Sequence, residues 1–473
     1  MPVNEGRPAM KITALAAGFV MAGLDATVMQ VAGATIQERL NASLTQLTWA
    51  VDGYVLTFAA LLMLAGGLAD RVGARTVYLW GMAIFVAASL ASALAPTIEL
   101  LIAARLLQGA GAALFMPSSL ALLVHAFPDP RERTRVLGLW SAIVSSSVAL
   151  GPTVGGIMVS ALGWQSIFLI NLPVGLLGMT LTRRFVARAD AGQKASLAVP
   201  GHATLIVALA ALSFALIEGP QRGWTSAAVL AAAATTVIAT ALLLVRERRA
   251  RTTVMPWTLF RGPRFAGANA VGFLFNAAFY GVLFLVGLYF QHARGASPLR
   301  AGLEILPLTV FLPLSNITFA RISARFANGP LLSISLLVAA AASLAMAAIS
   351  PATPYWQVAL ALAVTGIAGG IISPAMTAAM VDAAGPENGN VAGAVLNANR
   401  QVGTLVGIAV IGAMLAAAPD WTTGTAEAFL AIGIAYLVAT VAAWRLIAKP
   451  ERRAALVPAG PATAQPTPAL SRH

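Results

Sequence analysis

The chain has no cysteine, four histidines and few charges. Without a thiol it can form no disulfide and offers no thiolate to a metal. The histidines, His125, His202, His292 and His473, include no pair at ligand spacing, so no metal site is expected. All four read as loop or span-end residues, in the polar surroundings histidine usually takes. Charged residues fill 10% of the 473 positions, against about 25% in soluble domains. With 59% hydrophobic residues and a mean hydropathy of +0.82, most of the chain is expected to be solvated by lipid. A GxxxxGK[ST] phosphate loop is also missing, which argues against ATP-driven work by this chain alone. Clustered glycines such as Gly109 and Gly111 fall in an apolar run with no strand before them and read as packing glycines. No enzyme activity and no cofactor are expected.

What the chain does have is long apolar runs bounded by charge or by Pro/Gly clusters. Fourteen are long enough to cross a bilayer as helices, at about 12–34, 47–67, 76–95, 98–123, 134–160, 165–183, 201–218, 224–245, 265–291, 300–320, 330–349, 355–377, 391–417 and 424–446. The basic residues sort by loop. Arg39, Arg222, Arg294 and Arg300 fall on one side, Arg105 and Arg400 fall within spans, and the other 24 of the 30 Lys and Arg fall on the opposite side. One missed or invented span would swap the sides of every later loop, so the asymmetry supports the whole alternation and places both termini in the cytoplasm. It also accounts for the net charge of +13 without any nucleic acid. The first span is too long for a signal-peptide core and carries an acid, so it reads as a retained anchor in the cell membrane.

The runs group into two halves of six. Residues 1–186 form the first bundle, 187–264 hold linkers around an extra helix pair at 201–218 and 224–245, 265–447 form the second bundle, and 448–473 read as a disordered Pro/Ala-rich cytoplasmic tail. A weak repeat links the halves: GGLADRVGA after span two and ARISARFAN after span ten both run from an apolar span into a short basic loop. Paired six-helix repeats are a transporter pattern, with substrate bound at their interface near mid-membrane. Trp49, Trp164, Trp224, Trp356 and Trp421 fall near predicted outer ends, as an interfacial belt does.

Asp25 is the sole charge in the first span. A carboxylate near the centre of a membrane helix costs about 3 kcal/mol on insertion scales, so it is expected to face protein or water and to hold a partner or a proton. A rise of about 1.5 Å per residue puts Asp25 about 20 Å from the basic end of span one and Arg105 about 10 Å from the opposite end of span four. In a core of about 30 Å those depths nearly coincide. A neighbouring arginine favours the charged carboxylate and burial favours the neutral acid, so a motion that separates the two would drive protonation. A buried structural ion pair would make the same contact.

The segments around these residues match a known pattern. LDATVMQVAGATI around Asp25 resembles the first-span signature of the fourteen-span drug:proton antiporter branch of the major facilitator superfamily. GGLADRVGAR, residues 66–75, is similar to the superfamily's loop between spans two and three, with Gly67, Asp70, Arg71, Gly73 and Arg75 in place and Ala74 departing from it. Two glycines there would let the backbone turn tightly. The second half keeps Arg325 of this loop but has Ala324 and Ala327 where the acid and glycine would stand. RLLQGAGAA, residues 105–113, resembles the motif whose arginine is tied to proton movement, and SVALGPTVGG, residues 147–156, resembles a motif of antiporters that symporters usually lack. Gly151 and Gly155 share a face and Pro152 frees a helix bond beside them, so a neighbouring helix can approach closely at Gly151, Pro152, Gly155 and Gly156. WQSIFLINLPVG, residues 164–175, is similar to the start of span six in the branch and adds no chemistry.

The resemblance implies an all-α polytopic membrane protein of the major facilitator fold: two six-helix bundles plus a central pair, working by alternating access. It implies proton-coupled efflux of hydrophobic or amphipathic small molecules such as drugs or antibiotics. Asp25 and Arg105 would couple protons, with Asp52 a secondary site, and residues 66–75 would latch the halves on the cytoplasmic side. Gln108, Glu304, Asn397, Arg400 and Gln401 are the cavity candidates, with Glu304 leaning to a rim position and Arg400 either lining the cavity or bonding helix carbonyls. The expected partners are the small-molecule substrate, protons and the bilayer; nothing in the sequence speaks for or against an accessory periplasmic protein. A dedicated exporter of one metabolite, a symporter, and a receptor or scaffold are the rivals.

Overall fold

The computed structural model describes residues 8–187, 198–249, 257–323, 325–385 and 388–449. The expected disordered tail, apart from the helical Ala448 and Lys449, and much of both linkers flanking the extra pair lie outside these residues, as do Ala324 and His473. Fourteen long helices make up the described chain: α1 (Pro8–Leu40), α2 (Leu44–Val72), α3 (Ala74–Ala93), α4 (Ile98–Ala126), α5 (Pro130–Leu162), α6 (Ser166–Phe185), α7 (Val199–Arg222), α8 (Ala227–Arg249), α9 (Pro263–Ala293), α10 (Pro298–Ser323), α11 (Asn328–Met346), α12 (Tyr355–Ala384), α13 (Gly389–Ala417) and α14 (Trp421–Ala448). Thirteen are long and apolar enough to cross a membrane by length and composition. The other is α5, whose 33 residues include the expected fifth span. Backbone groups in hydrocarbon have no water to bond, and helices satisfy them internally.

Local chemistry sets the ends. Ser43 and Gln46 form a reciprocal capping box at the start of α2. Asp129 caps α5 ahead of Pro130, and Asp420 caps α14. The turn between α2 and α3 is tighter than expected. Gly67 lies inside α2 and takes no part in turning; Gly73 alone reverses the chain, at φ +95°, a backbone state that side chains resist. Two expected spans are interrupted: α6 at Ile170 and α10 at Ile305.

Packing within the first half is repeated in the second. Helix α1 packs on α5 and α6, α2 on α4, and α3 on α4 and α6; α9 likewise packs on α13 and α14, α10 on α12, and α11 on α12 and α14. Adding eight to each helix number converts one set into the other. The two main cross-half pairings, α2 with α13 and α5 with α10, exchange under the same operation. The extra pair breaks this symmetry, because α7 packs against both α2 and α13, and α8 packs on α7. Apolar side chains such as Val237, Ile238 and Ile317 are 65% or more exposed on the outside of the bundle, which suits contact with acyl chains.

The halves close against each other at the arginine-poor face. A Cβ on Gly156 of α5 would lie 2.6 Å from Pro298 O of α10, and Leu299 N donates to Ser160 Oγ at 3.1 Å. On the other side of the seam, a Cβ on Gly412 of α13 would lie 2.6 Å from Thr48 Oγ1 of α2, and His292 bonds Gln37 at 3.1 Å. Backbones approach this closely because small residues stand at the crossings.

Three of the five tryptophans expected near the outer ends have partners or are buried within the protein. Trp164 is buried, Trp49 donates to Glu218 Oε1 at 2.9 Å, and Trp421 stacks on His292 with ring centroids 4.4 Å apart, whereas Trp224 and Trp356 are exposed as a belt requires. His202 stands at the start of α7 but is buried, with Nδ1 2.9 Å from Ala198 O.

Candidate proton and substrate site

A chain of polar side chains crosses the first half. Its anchor is Arg105 of α4, placed by close packing of α4 on α2: a Cβ on Gly109 would overlap Tyr54 O, and Thr57 Oγ1 donates to Leu106 O at 2.7 Å. At that distance Arg105 Nε reaches Ala50 O at 3.0 Å. Its Nη1 is ion-paired with Asp25 Oδ2 and donates to Gln108 Oε1 at 2.8 Å. Gln108, one turn along α4, donates 2.9 Å bonds to Asp25 Oδ1 and to Ser89 Oγ of α3. Asn171 of α6 donates to the same Ser89 Oγ at 3.3 Å. The guanidinium lies 4.6 Å from the Tyr54 ring centroid and 5.8 Å from that of Phe168, distances at which an aromatic face attracts a cation.

Asp25 and Arg105 are each 1% exposed. Neither faces acyl chains, and Arg105 lines a central cavity of about 220 Å³ between the halves. Phe19, Ala22 and Ala26 of α1, Tyr54 and Phe58 of α2, and Tyr280 of α9 also line it. Among the cavity candidates, Asn397, Arg400 and Gln401 of α13 line this space. Arg400 donates to Ser373 Oγ at 2.9 Å. The remaining two do not line it. Gln108 belongs to the Asp25 network behind the wall, and Glu304 bonds Arg300 at 2.8 Å while its backbone oxygen accepts from Tyr355.

Asp52 is separate from this network. It is fully buried on α2, and neither carboxyl oxygen has a hydrogen-bond partner among the described residues. Such surroundings suit a neutral carboxyl better than a charged one.

The other motifs do structural work around the cavity. A Cβ on Gly151 would overlap Thr27 of α1 and one on Gly155 would touch Val28, so this face of α5 lies flush on the helix that carries Asp25. Pro152 meets α10, where a Cβ on Gly302 would overlap its carbonyl oxygen. Asp70 and Arg71 are exposed at the end of α2, and Arg75 donates to Arg183 O at the end of α6, at 2.6 Å. That carbonyl is one a helix end leaves without an internal partner.

Known proteins agree with this architecture. The chain matches the Major Facilitator Superfamily over residues 15–408 and 309–472. It belongs to the major facilitator superfamily. A methylenomycin A resistance protein of Streptomyces coelicolor is 67% identical over 450 residues, covering 95% of this chain and 94% of that protein. A methylenomycin A resistance protein of Bacillus subtilis is 44% identical, with 92% and 93% covered, and a tetracenomycin C resistance and export protein of Streptomyces glaucescens is 34% identical, with 87% and 77% covered. Among solved structures, a peptide transporter POT in complex with sulfate superposes with a TM-score of 0.71 at 16% identity, covering 94% of this chain and 96% of the other. That likeness speaks to the fold alone.

Sequence reasoning missed Ser89, Asn171 and Tyr54. A serine in an apolar span gives no signal by itself. Asn171 stood in the segment read as having no chemistry, yet three hydrogen bonds, through Ser89 and Gln108, connect it to the Asp25 carboxylate.

Proposed function

We propose that this major facilitator protein exports hydrophobic or amphipathic small molecules, such as antibiotics, across the cytoplasmic membrane in exchange for protons, with both termini in the cytoplasm. The carrying observation is Asp25: a buried carboxyl behind the cavity wall of the first half, bonded to Gln108 and to Arg105, which lines the cavity. In this arrangement the guanidinium and the amide match a charged carboxylate. When the halves rock and Arg105 draws away, an isolated charge in a low-dielectric interior costs several kcal/mol, and the carboxyl takes a proton instead. Substrate in the central cavity meets Arg105, Arg400, Asn397, Gln401 and Thr404 on otherwise apolar and aromatic walls. Asp52 is a second place for a proton. Residues 66–75 carry the switch on the cytoplasmic side, and the GPTVGG packing of α5 on α1 and α10 seals the outer side against leak.

Purified protein in proteoliposomes tests this. Adding cationic, neutral and anionic compounds in turn is expected to produce compound-dependent proton flux, and Asp25→Asn is expected to abolish it. Flux of undiminished size in Asp25→Asn would remove Asp25 from the mechanism.

One observation favours a narrower reading. Relatives at 67% and 44% identity are both methylenomycin A resistance proteins, so a dedicated exporter of that antibiotic fits as well. Methylenomycin A competing for efflux of a dye points to a broad range; efflux of methylenomycin A alone points to a narrow one.

A further inference from the structure

Beside the central cavity lies a larger one of about 600 Å³. Its walls include Ala59 of α2, Leu209 of α7, Leu243 of α8, Ala270 of α9 and Asn399 of α13, so both halves and the extra pair contribute. None of the described residues that line it is charged. Its polar edge is a pair of asparagines, in which Asn399 donates to Asn269 O at 2.7 Å.

Helices α2 and α13 are the partition between the two cavities. On α13, Asn399 and Val402 line the uncharged cavity, while Arg400 and Gln401 line the central one; on α2, Ala59 and Met63 line the first, Val55 and Phe58 the second. The same two helices meet at Thr48 and Gly412 on the arginine-poor face, so the cavity occupies the seam where it diverges toward the opposite face. Helix α7 covers that seam and is tied to α2 by the Trp49–Glu218 bond of 2.9 Å. The equivalent seam between α5 and α10 has no such cover among the described helices.

We propose that the seam cavity is a second ligand site, where an uncharged lipophilic small molecule drawn from the bilayer is held before it passes between α2 and α13 into the central cavity. Its size lies within the range of about 300–1,000 Å³ usual for small-molecule sites. The absence of charge among its described lining residues selects against ions, and the arginines one helix away take over the polar part of an amphipathic substrate. Because the walls belong to both halves, closing the seam changes the cavity's shape. The ligand therefore favours the arrangement described here and must leave before the halves rock. Naming the ligand as the transported substrate rests on the efflux reading; the site itself does not.

The absence of cysteine makes the test direct. In proteoliposomes, Ala270→Cys provides a sole thiol on the cavity wall, and Val237→Cys provides one on the lipid face of α8. Nile red, an uncharged dye, at about ten times its dissociation constant is expected to slow labelling of Ala270→Cys by a bilayer-soluble maleimide about tenfold. Labelling of Val237→Cys should not change. Filling the cavity with Ala270→Trp is expected to raise KM for Nile red efflux about tenfold with kcat held, the signature of lost binding rather than lost chemistry. Equal labelling with and without dye overturns the proposal. So does labelling that responds only to the acyl-chain length of the lipid, which would make the cavity a lipid site. Labelling requires no proton gradient, so protection without efflux would refute the export function and leave the site standing.

Discussion

At the scale of single residues, the first-span aspartate holds most of the information. A carboxylate in hydrocarbon is expensive, and depth arithmetic from the sequence put Asp25 and Arg105 at one level, where they pair. The remaining members of the network were harder to see. Gln108, Ser89 and Asn171 are neutral, and a neutral polar side chain in a membrane helix looks the same in sequence whether it bonds a neighbour or its own backbone. Asp25 and Arg105 should also be energetically coupled. Arg105→Ala leaves Asp25 buried without its counter-charge, a change expected to cost about 3–5 kcal/mol. Arg105→Ala combined with Asp25→Asn removes both charges and should recover much of the lost stability. Thermal unfolding in detergent measures both variants. If the double variant melts no higher than Arg105→Ala alone, the two side chains are not coupled.

At the scale of helices, apolar length located the spans, and the failures came where backbone geometry departs from regular helix. The breaks at Ile170 and Ile305 are invisible to hydropathy because the flanking residues are equally apolar. Gly67 looked like a turn residue, but a helix tolerates glycine wherever packing supports it. The GPTVGG helix carries a prediction about gating. Leucine at Gly156 would collide with the Pro298 carbonyl, 2.6 Å from even a Cβ, and such overpacking costs about 1–3 kcal/mol. That penalty applies to the seam closed at the arginine-poor face, so Gly156→Leu should raise the population open at that face about tenfold. Met29 lines the central cavity and is 1% exposed. Labelling of Met29→Cys from the arginine-poor face by a membrane-impermeant thiol reagent should rise by the same factor; an unchanged rate would mean that α5 and α10 do not form the seal.

The α14 cap gives a pH-dependent element. The Thr423 amide, then the Thr423 hydroxyl and the Thr422 amide, bond the exposed Asp420 carboxyl and hold it below its ordinary value. A lowered value in the folded state means that the cap stabilises above the ordinary carboxylate range, near pH 4, and is lost as pH falls through the lowered value. Asp420→Ala should therefore melt earlier than the parent at pH 7, with the gap narrowing below about pH 4. A gap independent of pH would show that the carboxylate's charge plays no part.

For the whole molecule, the internal repeat is weak as sequence and clear as packing. Lipid asks only that a helix surface be apolar, so duplicated helices can drift apart in sequence while small residues at crossings keep the arrangement. The position of α7 across the α2/α13 seam, with α8 packed on it, was not legible, since neither helix carries a charge pattern that names its neighbour. The repeat also defines what must move: α2 with α13 and α5 with α10 are the cross-half seams, and both are shut at the arginine-poor face. If transport requires that face to open, fixing one seam should stop it. Thr48 and Gly412 suit this, because a Cβ on Gly412 would lie 3.3 Å from Thr48 Cβ, near the separation of about 3.5–4.5 Å that a disulfide spans. In the cysteine-free background, oxidised Thr48→Cys/Gly412→Cys should lose Nile red efflux in proteoliposomes, keep dye binding from the arginine-rich side, and regain efflux on reduction. Efflux that persists through complete cross-linking would mean substrate leaves without parting α2 from α13, and rocking of the halves would no longer describe this protein.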